Sequence, residues 1–156
     1  MDVHPQLVVI GRVGLAAFLG YLLGLDRALR GKDAGDRTFS LVALGSAAFV
    51  ALGVELFPDS ADRVIQGVTA GVGFLGAGII FRASGGVKGL TTAAALWTSA
   101  AVGCLVGAGY YVAGAAIAGI ILIVLELHAV GPLKWLSTRN RRGNEDRTEP
   151  ETEQPG

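Results

Sequence analysis

The chain has 156 residues, of which 51% are hydrophobic and 24 are glycine. Its formal net charge is zero, so no basic excess indicates binding to nucleic acid. A single cysteine, Cys104, excludes an intrachain disulfide. The length leaves room for one domain, and the long uncharged stretches predict an integral membrane protein whose first partner is the lipid bilayer.

Five apolar stretches approach the roughly 20 residues that a helix needs to cross the hydrocarbon core. They predict an all-α bundle of about five transmembrane helices, with spans at residues 7–25, 39–57, 64–81, 91–108 and 110–128. A membrane domain of residues 1–136 contains them. The charged, proline-containing tail, residues 137–156, is expected to be a disordered cytoplasmic segment, because it cannot bury enough apolar surface to become ordered.

Glycine recurs at a spacing of four residues along these spans. Such G-x-x-x-G pairs let membrane helices approach closely, and they predict tight helix packing and a homo-oligomer. The pairs are Gly20/Gly24, Gly67/Gly71 and Gly103/Gly107, and the third span adds Gly73, Gly76 and Gly78.

A dinucleotide fingerprint is also present in the third span, since Gly71, Gly73 and Gly76 fit G-x-G-x-x-G. That motif has meaning only at a strand-to-helix turn with an acidic residue about 20 positions later. No acidic residue lies between Asp62 and Glu126. We therefore reject nucleotide binding and predict no cofactor.

Lysine and arginine are distributed unevenly between the two sides of the predicted bundle. The loops after the first and third spans hold Arg27, Arg30, Lys32, Arg37, Arg82 and Lys88, and the tail adds five more basic residues. The opposite side has Arg63, with Arg12 near the start of the first span. The positive-inside rule then predicts an outside N-terminus and a cytoplasmic C-terminus.

The first loop begins with Asp26 and Arg27 and ends with Arg37 and Thr38. Charges at a membrane boundary are costly unless they are paired. We expect Asp26 to pair with Arg37 or Arg27 and so to join two helices, and Thr38 to cap the second span. The loop is interpreted either as a topological anchor with a structural ion pair or as a docking surface for a partner.

The third loop leads through Lys88 and Gly89 to Thr91 and Thr92. A glycine-rich turn before a helix N-terminus can accept an anion. The spacing is not that of a P-loop, however, and we favour Thr91 or Thr92 as a simple N-cap.

Cation ligands are few. Asp26 and Glu126 are candidates for a magnesium site, because magnesium can be held by one or two carboxylates and several waters. Glu126 could equally pair with an arginine or reach the interface, which we favour. No nucleophile–base arrangement is present in the sequence, so we expect a protein that is not an enzyme.

Several motifs in consistent order resemble the MgtC/SapB family of bacterial membrane proteins. They are GLDR at 24–27, AGDRT at 34–38, LVALG at 41–45, GVGFLGAGI at 71–79 and GLTTAA at 89–94, followed by Trp97. The family typically has Glu where this chain has Asp26 and Leu where it has Asp36. At Thr91 some members carry Asn.

The resemblance implies an inner-membrane protein linked to magnesium homeostasis. It implies an accessory or regulatory role toward membrane transport or ATPase machinery, such as magnesium P-type ATPases or the F-type ATP synthase. A small oligomeric Mg²⁺ transporter or channel is the alternative, and a self-associating scaffold is a third interpretation. The resemblance is expected to cover the transmembrane domain alone, without the soluble C-terminal domain of the best-studied branch. Its candidate residues are Asp26, Arg27, Gly35, Arg37, Thr38, Gly71, Gly73, Gly76, Gly78, Lys88, Thr91 and Thr92.

Overall fold

The computed structural model describes residues 3–32, 34–83 and 86–127. These residues form five α-helices: α1 (Val3–Leu29), α2 (Asp36–Leu56), α3 (Ala61–Ile79), α4 (Leu90–Gly107) and α5 (Tyr111–Leu127). A 3-10 turn, Pro58–Ser60, joins α2 to α3, and a two-stranded antiparallel hairpin, β1 (Phe81–Ala83) and β2 (Gly86–Lys88), joins α3 to α4. The predicted all-α membrane class is confirmed, and the short hairpin is an addition to it.

The chain divides into two units, Met1–Leu122 and Ile123–Gly156. The first contains α1 to α4 and most of α5. Of the second, the structure describes residues 123–127, the last turns of α5. The tail that the sequence predicts to be disordered lies outside the described residues.

Each predicted span coincides with a helix, but the helices differ in how well they suit a bilayer. By length and composition α1, α2 and α4 can each cross a membrane, whereas α5 is apolar but has only 17 residues. The third span does not meet the same criterion, because Asp62 and Arg63 occupy the first turn of α3. The described residues thus contain three helices of this kind, and five crossings stay a prediction.

Within the first unit, α2 packs against both α1 and α4, and α3 packs mainly against α4. The core of this arrangement combines many small residues, chiefly alanine and glycine, with larger side chains between the helices. The largest fully buried side chains are Phe39, Leu23, Leu96, Val50, Val102 and Val106. Small residues dominate because membrane helices associate by close packing rather than by exclusion of water.

Two of the three G-x-x-x-G pairs lie in these helix contacts. Gly20 and Gly24 of α1, and Gly103 and Gly107 of α4, lie so close to the α2 segment that an added Cβ would overlap its backbone. At Gly20 that carbon would be 2.6 Å from the carbonyl oxygen of Phe39. These two pairs thus lie in contacts within one chain, and the self-association predicted for them stays a prediction.

The glycines of α3 are different. An added Cβ at Gly67, Gly71, Gly73 or Gly78 would meet nothing within 4 Å, and only Gly76 contacts a neighbour, at 3.7 Å. Within a single chain, the prediction that these glycines pack α3 into the bundle is therefore wrong, except at Gly76. The reason is that α3 packs through one narrow face, in which only Val72 and Gly76 are buried.

Helix α1 offers a matched test of the close contacts. Gly20→Ala should lower the free energy of unfolding by about 1–3 kcal/mol, because the new methyl group overpacks the α1–α2 contact. Gly14→Ala, on the same helix but with open space around it, should leave stability unchanged or raise it by up to about 1 kcal/mol. Thermal unfolding in detergent, followed by tryptophan fluorescence, measures both. Equal melting temperatures for the two variants would contradict the contact.

Candidate functional site

The candidate site lies where α1 ends and where α2 and α4 begin. Gly24 brings α1 against the start of α2: an added Cβ there would be 2.7 Å from the carbonyl oxygen of Gly35. One turn later along α1, Ala28 faces Gly35, whose own added Cβ would be 3.3 Å from the Ala28 methyl. The segment with Asp26 and Arg27 is therefore held against the α2 N-terminus by glycines on both sides.

Arg27 links α1 to α4. Its side chain is buried, with 4% of the residue exposed, and its Nη2 donates a hydrogen bond of 3.2 Å to Oγ1 of Thr92, which is 5% exposed. A guanidinium withdrawn from solvent is costly unless it is hydrogen-bonded and paired. In the described part of the chain the Nε of Arg27 has no hydrogen-bond partner, so Thr92 is an important acceptor for this group.

Asp26 supplies the negative charge beside Arg27. Its Oδ1 accepts a hydrogen bond of 2.8 Å from Nε of Arg30, one turn further along α1. Its Oδ2 lies 3.9 Å from Nη1 of Arg27. The predicted pairing with Arg27 is present, but all three residues belong to α1. Among the charged residues of this first loop, the bond that joins two helices is therefore Arg27–Thr92, and Arg37 lies exposed on the surface.

The threonines do not cap their helices as predicted. Helix α2 begins after Gly35 and α4 after Gly89, and neither N-cap residue makes a side-chain hydrogen bond. Thr38 is already the third residue of α2. Gly89 has φ +83° and lies against the carbonyl of Ile79, a backbone position that favours glycine over threonine.

A second polar contact, which was not predicted from the sequence, lies at the opposite end of the same two helices. Arg12 of α1 donates from Nε to the hydroxyl of Tyr111 at 3.1 Å and from Nη1 to the carbonyl of Gly107 at 3.0 Å. Gly107 is the last residue of α4, where a cation meets the negative end of the helix dipole. An arginine inside an apolar span was the available signal, since such a group needs a partner.

The other candidate residues make no contact with this site among those described above. Lys88 is exposed on β2, and Thr91 is exposed in the first turn of α4. Glu126 lies in the last turn of α5, in the second unit, whereas Asp26 belongs to the first. Among the residues that the structure describes, no three His, Cys, Asp or Glu side chains cluster so that they could hold a metal ion. The two-carboxylate magnesium site stays a prediction.

Comparison with known proteins decides the family. The sequence pattern of the MgtC family matches residues 13–131, a stretch that includes Asp26, Arg27, Thr92 and the α3 glycines. The chain belongs to the MgtC family. The resemblance seen in the motifs is confirmed, and with it the assignment as a multi-pass MgtC-type membrane protein.

Its relatives include two proteins of that name. The chain is 48% identical over 112 residues to Protein MgtC of Brucella abortus, which covers 71% of this chain and 47% of the relative. It is 46% identical over 96 residues to Protein MgtC of Salmonella typhimurium, a stretch that covers 62% of this chain and 42% of the relative. Protein SrpB of Synechococcus elongatus is 43% identical over 118 residues, a stretch that covers 66% of this chain and 65% of the relative. The chain thus spans about half the length of the two MgtC proteins and just under two thirds of SrpB. No solved structure matches it.

The two threonines that open α4 in this MgtC-family chain provide the test of the Arg27 contact. Thr92→Val should lower the free energy of unfolding by about 1–3 kcal/mol, because it leaves a buried guanidinium N–H without its acceptor. Thr91→Val, at an exposed position, should change it by less than about 0.5 kcal/mol. Thr92→Ser keeps the hydroxyl and should retain most of the stability. Chemical unfolding in detergent compares the three, and a Thr92→Val protein as stable as Thr91→Val would show that the bond contributes nothing.

Proposed function

We propose that this chain is a non-enzymatic accessory protein of the bacterial inner membrane, which regulates transport or ATPase machinery linked to magnesium homeostasis. The observation that carries the proposal is that the charged side chains of the motif at the end of α1 bond to other groups of the same chain. Arg27 bonds to Thr92, and Asp26 bonds to Arg30, so these groups stabilise the ends of helices. Such an arrangement suits a rigid membrane body that acts through the surface it presents to other proteins.

The described surface that such a body presents is largely apolar, as expected for helices in lipid. On α3, Phe74 is 81% exposed, and Gly73 and Gly78 lie on open surface. Small residues beside a large apolar one allow a partner helix to approach the backbone and pack around the ring. This surface supports a role in contacting a membrane transporter or ATPase, or a second copy of the chain.

The proposed orientation places the ends of α1 and β2 and the starts of α2 and α4 in the cytoplasm. Exposed basic residues cluster there, including Arg30, Lys32, Arg37 and Lys88, in agreement with the positive-inside rule. The opposite side carries the 3-10 turn with Asp59.

Cysteine labelling tests this orientation. In a Cys104→Ala background, Asp59→Cys should react with a membrane-impermeant maleimide in spheroplasts, because it faces the outside. Lys88→Cys should react only after the membrane is permeabilised. Both positions are exposed in the structure, so accessibility within the fold does not differ. Labelling in the reverse pattern would overturn the orientation.

Co-purification tests the proposed role. The full chain, tagged and isolated from native membranes of cells grown at low magnesium, should recover a transport or ATP-driven membrane complex more strongly than at high magnesium. A tagged membrane protein of similar size and helix number is the control for capture of abundant complexes. Recovery of the same proteins by chain and control alike would count against the proposal.

Flux measurement separates this role from the transporter alternative. The purified chain in liposomes should pass no more Mg²⁺ than empty liposomes do. Magnesium flux that Asp26→Asn abolishes, and that the exposed control Asp59→Asn leaves intact, would replace the accessory role by transport.

A further inference from the structure

An apolar groove of about 620 Å³ separates α2 from α3. Its lining is hydrocarbon apart from Ser46, and the Ser46 hydroxyl is already used, since it donates to the carbonyl of Val42 at 2.8 Å. Three glycines in the wall, Gly45, Gly67 and Gly71, provide the space, because an added Cβ at any of them would meet nothing within 4 Å. An apolar groove of this kind offers water few hydrogen-bonding partners.

The groove closes at one end and opens at the other. Near the 3-10 turn α2 and α3 touch: an added Cβ at Gly53 would lie 2.9 Å from a methyl of Val64. Toward its C-terminus α3 packs instead on α4, where Gly76 faces Ala93. The two helices therefore diverge from the turn, and the groove widens toward the N-terminus of α2.

Two polar residues stand at that wide end. Arg37 precedes the groove residue Leu41 by one helical turn, and Thr38 precedes the groove residue Val42 by one turn. Residues four apart lie on the same helix face, so both side chains stand above the groove. Both are exposed, and within the described part of the chain the guanidinium of Arg37 has no hydrogen-bond or ion-pair partner.

These features select an occupant with an apolar chain that ends in an anion at the level of a membrane surface. A phosphate suits Arg37, since guanidinium and phosphate form strong, charge-assisted hydrogen bonds. Thr38 adds a hydroxyl donor. The first turn of α2 adds backbone N–H groups. No side chain caps these groups, because the N-cap residue is Gly35. Basic positions between membrane helices on the cytoplasmic side are recognised sites for anionic lipid head groups.

We propose that the α2–α3 groove binds one phospholipid, whose acyl chain lies along Gly45, Gly67 and Gly71 and whose phosphate contacts Arg37 and Thr38. A phospholipid supplies both the apolar chain and the anion in one molecule. A helix from a second copy is the competing occupant, and the oligomeric state of the Gly71→Leu variant distinguishes it.

Native mass spectrometry of the full chain in detergent tests the site with dioleoyl phosphatidylglycerol as the probe. One lipid should stay bound, and Arg37→Gln should weaken its binding about tenfold, as expected for loss of a charge-assisted contact. Dioleoylglycerol, with the same chains and no phosphate, should bind as weakly to the unchanged protein. Glycerol phosphate, with no chains, should not be retained, which distinguishes a lipid head group from free phosphate. Arg63→Gln, an exposed arginine in the first turn of α3, is the control and should bind normally.

A pair of glycine variants on α3 tests the groove itself. Gly71→Leu fills the groove and should reduce phosphatidylglycerol binding about tenfold or more. Gly73→Leu makes the same change two residues away, at a glycine that is equally open but not part of the groove wall, and should leave binding unchanged. Both side chains have space, so both variants should fold with similar melting temperatures. Equal loss of lipid in the two variants would show only non-specific binding around the helices and would overturn the proposal. A changed oligomeric state with unchanged lipid binding in Gly71→Leu would assign the groove to a second copy instead.

Discussion

Close approach of helix backbones through small residues is the constraint on which the described bundle depends. In lipid there is no exclusion of water to hold helices together, so packing and hydrogen bonds must do so. Helix α2 meets α4 where Gly103 and Gly107 lie against the carbonyls of Ala43 and Ala47. A side chain at either glycine would push α4 away from α2. Because α2 is held between its neighbours, the C-terminal end of α1 lies beside the N-terminal ends of α2 and α4. This arrangement places the motif residues at those ends close to one another.

Because the helices lie close together, the arginines of α1 reach partners that would be out of reach if the helix axes were further apart. Arg27 bonds to Thr92 at the start of α4, and Arg12 bonds to Gly107 at the end of α4 and to Tyr111 at the start of α5. Each bond offsets the cost of holding a cation inside an apolar bundle. The charged motif at the end of α1 thus has a structural explanation in this chain. Specificity toward other molecules must come from exposed groups.

Local signals in the sequence were enough for the five helices, because span length and the absence of charge depend on neighbouring residues alone. They were not enough for the contacts. Gly67/Gly71 and Gly103/Gly107 have the same spacing, yet only the second pair meets another backbone. Spacing defines a helix face, and which face finds a neighbour depends on the whole arrangement. The hairpin β1–β2 was missed because strands of three residues show no alternation, and Arg12 because its partners lie 95 and 99 residues away.

The two arginine contacts also oppose a sliding motion of α1 along α4. From Arg12 to Arg27 on α1, and from Thr92 to Gly107 on α4, the separation is 15 residues in each case, or about 22 Å along each axis. The two helices are thus matched in length between their tie points, and an axial slip by one turn, about 5.4 Å, would break both ties at once. A ratchet of α1 past α4 therefore has to break both contacts together.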